Sequence, residues 1–191
     1  MNVTEYRYKL EQSSKLTKSW GLSTEPLYNE CPEKTLTKSQ YEEISILLQT
    51  ILGEFSDEEI SQQCFALSLI IKEEIEEKLN IPLMYTLGYV KPDKHPVFYT
   101  DEHELKKYLN QTSQSKHINL HAWLTTANNE IIDVTYNTTV GVVCKQPNLI
   151  GHITMGHISE LKDGFEYHPQ LIGDEFLYAC GFLISQEAFI M

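Results

Sequence analysis

A thiol, an imidazole and a carboxylate follow one another along the chain in short, distinctive settings: Cys64 in SQQCFALSLII, His121 in HAW and Asp133 in IIDVT. A thiol is a weak nucleophile until a neighbouring imidazole takes its proton, and that imidazole needs a third group to hold its tautomer and orientation. Cys64, His121 and Asp133 would fill those roles in turn, and the chemistry would be acyl transfer through a thioester. Each residue also has an ordinary reading. A lone cysteine on an apolar helix is as a rule a small packing residue. His121 can be a strand histidine packed beside Trp123, and Asp133 a strand-end residue accepting turn hydrogen bonds. The order of the three favours the chemical reading.

The elements that must position them can be read from patterning. Thr37 and Gln40 make a capping box, and Tyr41, Ile44, Leu47, Leu48 and Ile51 recur at helical spacing until Gly53, which predicts a helix over 38–53. Ser56 and Glu59 repeat the box before an apolar run that reaches Leu79. A continuous helix from Ser56 would leave Cys64 two turns inside it. Activation of the thiol by unpaired helix-start amides therefore requires a break near Ser61, with Ser61 as a second cap and a fresh start at Gln62 or Gln63, giving a helix over about 62–79. The Cys64 backbone N–H is then the first oxyanion donor, and the side chain of Gln62 or Gln63 a candidate second.

After Pro82 the pattern becomes extended. LMYTLGYV predicts a strand over 83–90, PDKHP a loop, VFYT a short strand, and Asp101 a cap for a helix over EHELKKYLN. INLHAWLTT and EIIDVTY predict a hairpin of strands 118–126 and 131–136. For His121 and Asp133 to meet they must share one sheet face. Placing them directly opposite gives a three-residue loop of Thr126, Ala127 and Asn128, with Asn128 left-handed. A two-residue loop at Asn128 and Asn129 would send Asp133 to the other face. If Asp133 does not orient His121, Asn119 and Asn137 are the nearest alternatives. Beyond Tyr136, TVGVVC and NLIGHITM read as strands, and DEFLYACGFLI as a helix or a strand. Residues 1–36 read as a polar, irregular arm and 37–191 as one domain.

QQCFAL, HAW and IIDVT together resemble the transglutaminase-like branch of the papain-like cysteine protease superfamily, over about residues 60–136. The resemblance implies an α+β papain-like fold, with N-terminal helices packed on an antiparallel β-sheet and Cys64, His121 and Asp133 as a catalytic triad. It implies thiol-dependent acyl transfer on a protein or peptide bearing an amide, by a protease, a glutamine deamidase or a transglutaminase, without a cofactor. Phe65 stands where eukaryotic transglutaminases carry Trp, and neither Gly nor Arg precedes Cys64 as in the arylamine acetyltransferase branch, which disfavours acyl-CoA chemistry. The rival from another class is a non-catalytic binding or immunity-type protein on the same fold.

Composition narrows the partners. Lys+Arg of 15 against Asp+Glu of 27 gives a net charge of −12, a surface that repels phosphate backbones and anionic headgroups, so neither nucleic acid nor membrane is an expected partner. Arg7 is the sole arginine, which leaves few bidentate forks for phosphoryl chemistry. Cys31, Cys64, Cys144 and Cys180 lack paired spacing and read as thiols. With no apolar run of signal-peptide or membrane-spanning length, the expected compartment is the cytoplasm, with export as an effector or toxin left open by analogy. His152 and His157, with His117 and His121, do not have the spacing of a metal site, and none is expected.

Overall fold

A computed structural model describes residues 1–24, 36–115, 117–162 and 164–184; Cys31 and the other positions of 25–35 lie outside them. The chain is an α+β protein. Helices α1 (Val3–Ser19), α2 (Lys38–Leu52), α3 (Asp57–Gln62) and α4 (Cys64–Leu79) precede strand β1 (Leu83–Lys91). Helix α5 (Glu102–Leu109), strands β2 (His121–Thr126) and β3 (Glu130–Asp133), helix α6 (Tyr136–Val143), strands β4 (Thr154–His157) and β5 (Glu166–Ile172), and helix α7 (Glu175–Ala179) follow. The five strands form one sheet in the order β4-β3-β2-β1-β5, with every neighbouring pair antiparallel.

Both faces of the sheet are covered, which the strand side chains require. Leu83, Tyr85, Leu87, Ala122, Leu124 and Ile132 share one core with Ile44 and Leu48 of α2 and Ile71 and Ile75 of α4. The opposite face carries Met84, Val90, Trp123, Ile131 and Ile172, which pack with Tyr6 and Leu10 of α1. The Thr37–Gln40 box starts α2, and Asp101 starts α5 by accepting from the Glu104 N–H at 2.9 Å. The i,i+4 pair Glu74–Lys78, at 2.6 Å, lies on the solvated side of α4.

Four expectations are corrected. The N-terminal segment is not irregular: residues 3–19 are helical. Their buried stripe is Tyr6, Leu10, Ser13, Ser14 and Thr17, and small polar residues at three of five inward positions hide the helical period from a hydropathy reading. Two of them are satisfied within the helix, as Ser13 Oγ donates to the Lys9 carbonyl and Thr17 Oγ1 to that of Ser13, both at 2.8 Å, while Ser14 Oγ donates to Thr24 Oγ1 at 3.4 Å. The β-rich run TVGVVC lies instead in helix α6 and the residue that follows it. The Asp133 carboxylate takes up the amides of Thr135 and Tyr136 where the helix begins, and packing against α3 overrides strand propensity. VFYT contributes only a single bridge, Val97 to Val90, and NLIGHITM supplies a 3₁₀ turn before the short β4.

Strand β5 had no counterpart in the sequence reading, because Pro169 inside EYHPQLI argues against a strand. Pro169 is tolerated because the β1–β5 register shifts between Leu87 and Gly88, and Gly88 is its partner. The backbones approach closely there: a Cβ on Gly88 would sit 2.1 Å from the His168 carbonyl oxygen and 2.8 Å from the Trp123 ring. Only glycine fits.

Candidate active site

The helix break that the thiol requires is present two residues later than its expected cap. Gln63 ends α3 and begins α4 with φ −121° and ψ 34°, and Cys64 is the first helical residue of α4. Ser61 is not the cap. It lies within α3 and its hydroxyl donates to the Glu58 carbonyl at 2.8 Å. No side chain caps α4. The Cys64 thiol, half-buried, therefore sits among helix-start amides that have no partner within the helix, at the positive end of the dipole. Gln62 is exposed at the end of α3, and Gln63 is half-buried at the break.

Strands β2 and β3 bring His121 and Asp133 together. Leu124 pairs with Ile132 and Thr125 with Ile131, which sets Asp133 opposite Trp123, on the same face as His121 and diagonal to it. The pairing expected from sequence was directly opposite. The difference arises in the turn, whose three loop residues are Ala127, Asn128 and Asn129, with Asn129 rather than Asn128 left-handed at φ 64°. Sliding the loop by one residue moves the register by two, so the shared face survives. His121 Nε2 and Asp133 Oδ2 are 2.7 Å apart and both side chains are fully buried. The other ring nitrogen is thereby left for Cys64, whose side chain lies near enough to the ring to favour its charged form.

Asp133 takes four donors. Oδ2 accepts from His121 and from the Tyr167 hydroxyl at 2.8 Å, and Oδ1 accepts from the backbone amides of Thr135 and Tyr136, each at 3.1 Å. Burial alone would favour the neutral acid, but the charge and hydrogen bond of His121, the Tyr136 amide and Tyr167 together hold its carboxyl below the usual range. Burial likewise opposes a charged His121, yet Asp133, by charge and hydrogen bond, and Cys64 outweigh it and push the imidazole up to about 10.

Aromatic rings close the site. Phe98 stacks on the His121 ring with centroids 5.2 Å apart, and Tyr136 meets it edge-on at 5.9 Å. Phe98 holds a left-handed backbone at φ 63°. That conformation is uncommon for a bulky side chain and is retained here where the ring covers the imidazole. Neither Phe98 nor Tyr167 was among the residues singled out by sequence. Phe98 sits in a segment with one bridge, and Tyr167 in the strand concealed by Pro169.

Asn137 and Asn119 do not touch His121 in place of Asp133. Asn137 Nδ2 donates to Thr154 Oγ1 at 3.1 Å, and the Asn119 carbonyl accepts from Thr100 at 2.8 Å. His157 Nδ1 pairs with Ser159 Oγ at 2.7 Å, and no cluster of three or more potential metal ligands occurs among the described residues. Cys144 is exposed and Cys180 half-buried, with burial pushing the Cys180 thiol up to about 11. Among the described residues no helix is long and apolar enough to cross a membrane.

The coupled pair makes a prediction about stability. A histidine whose folded pKa is raised binds its proton more tightly in the native state. Its contribution is present in full below about 6.5 and is lost as pH rises toward about 10. Asp133, shifted down, contributes above its ordinary range and loses that contribution as pH falls. Urea denaturation at pH 7 and pH 10 should show an alkaline loss in the wild type that is much smaller in His121→Gln. Equal alkaline losses in the two proteins would contradict the assignment.

Fold and site define a class of α+β protein: a five-stranded antiparallel sheet, helices on both faces, and a buried His–Asp pair against a helix-start cysteine. Comparison with known proteins adds no narrower identity, since no family model, no curated protein and no solved structure matches the chain.

Proposed function

We propose that this protein is a thiol-dependent acyl-transfer enzyme of the papain-like, transglutaminase-like kind, acting on an amide in a protein or peptide through a thioester on Cys64. The observation that carries the reading is the single imidazole of His121 held between the Asp133 carboxylate, at 2.7 Å, and the side chain of Cys64 at the start of α4. In that reading His121 takes the thiol proton, and the sulfur attacks the amide carbonyl. The tetrahedral oxyanion is received by the Cys64 N–H, with the Gln62 or Gln63 side chain as second donor, and His121 returns the proton to the leaving amine. Water or an amine then resolves the thioester, which separates protease and deamidase from transglutaminase chemistry.

Competitive alkylation tests it. Cys144 is more exposed than Cys64, so accessibility alone favours Cys144. With limiting iodoacetamide near pH 7, peptide mass spectrometry should find Cys64 modified first, and His121→Ala should slow that modification by about 10²-fold. If Cys64 reacts no faster than Cys144 in the folded protein, the sulfur is a packing thiol and a binding or immunity role becomes the better reading.

A further inference from the structure

Asp133 sits at the end of a hydrogen-bond chain that the triad does not use. Tyr167, fully buried on β5, donates to Asp133 Oδ2, the same oxygen that holds His121 Nε2. Thr154 of β4 lies directly opposite Asp133 in the β3–β4 register, its hydroxyl beside that of Tyr167, on which it acts as a hydrogen-bonding neighbour, and Thr154 Oγ1 accepts from Asn137 Nδ2 at 3.1 Å. The two ends of the chain fix its direction. A carboxylate can only accept and an amide nitrogen can only donate, so Asn137 donates to Thr154, Thr154 to Tyr167 and Tyr167 to Asp133. Thr154 and Tyr167 come from the two opposite edges of the sheet, β4 and β5, and meet at one carboxylate. The four donors on Asp133 leave it little freedom to rotate.

We infer that Asn137, Thr154 and Tyr167 form a one-way relay that fixes the orientation of the Asp133 carboxylate and moderates its hold on His121. The three are positioning residues, and the inference rests on the thiol-enzyme reading above. Tyr167 shares Oδ2 with the imidazole, and its hydroxyl draws electron density from that oxygen. Thr154, by donating to the phenol oxygen, makes Tyr167 the stronger donor. Without Tyr167 the carboxylate would concentrate its charge on His121 and favour the imidazolium that balances a Cys64 thiolate.

The test is the pH dependence of Cys64 alkylation by iodoacetamide in the wild type, Tyr167→Phe, Thr154→Val and the double variant, with circular dichroism to establish the fold. The pH at which the rate reaches half its plateau should fall by about half a unit or more in Tyr167→Phe. It should fall less in Thr154→Val, and no further in the double variant than in Tyr167→Phe, because Thr154 acts through Tyr167. A structural role alone would lower stability without moving that midpoint. An unchanged or raised midpoint in Tyr167→Phe overturns the relay. Should Tyr167→Phe fail to fold, an unchanged midpoint in Thr154→Val overturns it equally. Failure of the enzyme reading looks different: the wild-type Cys64 itself then shows no preference over Cys144.

Discussion

Asp133→Asn should lose both stability and chemistry, and by separable routes. The carboxylate accepts four hydrogen bonds, two on each oxygen, while a carboxamide offers one accepting oxygen and an NH2 group that only donates. If the NH2 takes the place of Oδ1, it faces the amides of Thr135 and Tyr136 and opens the start of α6. If it takes the place of Oδ2, it faces two donors, and His121 must turn its Nε2 into an acceptor. Its proton then moves to the nitrogen facing Cys64, and that imidazole can no longer accept the thiol proton. Each unsatisfied buried group costs about 1–3 kcal/mol. In a chain of this size that lowers the melting temperature by about 2–4 °C per kcal/mol. Thioester formation in a single turnover should fall by about 10³–10⁴-fold. Calorimetry and stopped-flow acylation measured on the same preparation separate the two effects. A lowered melting temperature with unchanged acylation would leave Asp133 as a cap for α6 and nothing more.

Cys64→Ser should have the opposite profile, with a large chemical effect and a small structural one. The residue is the first of α4 and half-buried, and serine is well accommodated at a helix start. The hydroxyl is far less acidic than the thiol, and an imidazole tuned for a thiol activates it poorly. No covalent adduct with an amide substrate should be detectable by intact-mass spectrometry, and the urea midpoint should stay within the range of a surface substitution, about 0.5 kcal/mol. A variant that unfolds, from a wild type that is unreactive, would identify Cys64 as a core residue instead.

Much of this architecture is legible in the sequence, and the reasons differ from element to element. Helices α2 and α5 announce themselves through capping side chains next to their starts, a signal that needs no tertiary context. The break ahead of Cys64 was legible as a requirement of the chemistry, though its position at Gln63 was not, because no side chain caps α4. Helix α1 was hidden by Ser13, Ser14 and Thr17 at inward positions, α6 by β-branched residues that follow an aspartate acting as a cap, and β5 by Pro169. The site divides in the same way. Cys64, His121 and Asp133 sit in short motifs whose residue types suggest their roles. Tyr167, Thr154 and Phe98 act through positions that only the sheet and the loop beside it define. Two adjacent asparagines at the hairpin turn are equally suited to a left-handed residue, so composition could not choose between registers that differ by two.

The docking of α1 on β5 has a consequence for how the chain is made. Thr17 Oγ1 receives the Ile172 N–H at 3.1 Å, while Tyr6 bonds to Thr125 at 2.8 Å and accepts from Trp123 at 2.9 Å. Helix α1 is thus held by a strand whose contact lies 155 residues further along the chain and leaves the ribosome well after it. During synthesis the inward face of α1 must wait, exposed or transiently covered, until residue 172 has emerged, and contacts of such sequence separation slow folding. Asp133 waits as well, since its fourth donor is Tyr167. A nascent chain ending before that tyrosine carries the thiol, the imidazole and the carboxylate without the bond that completes their arrangement, so maturation of the site is tied to the completion of the sheet.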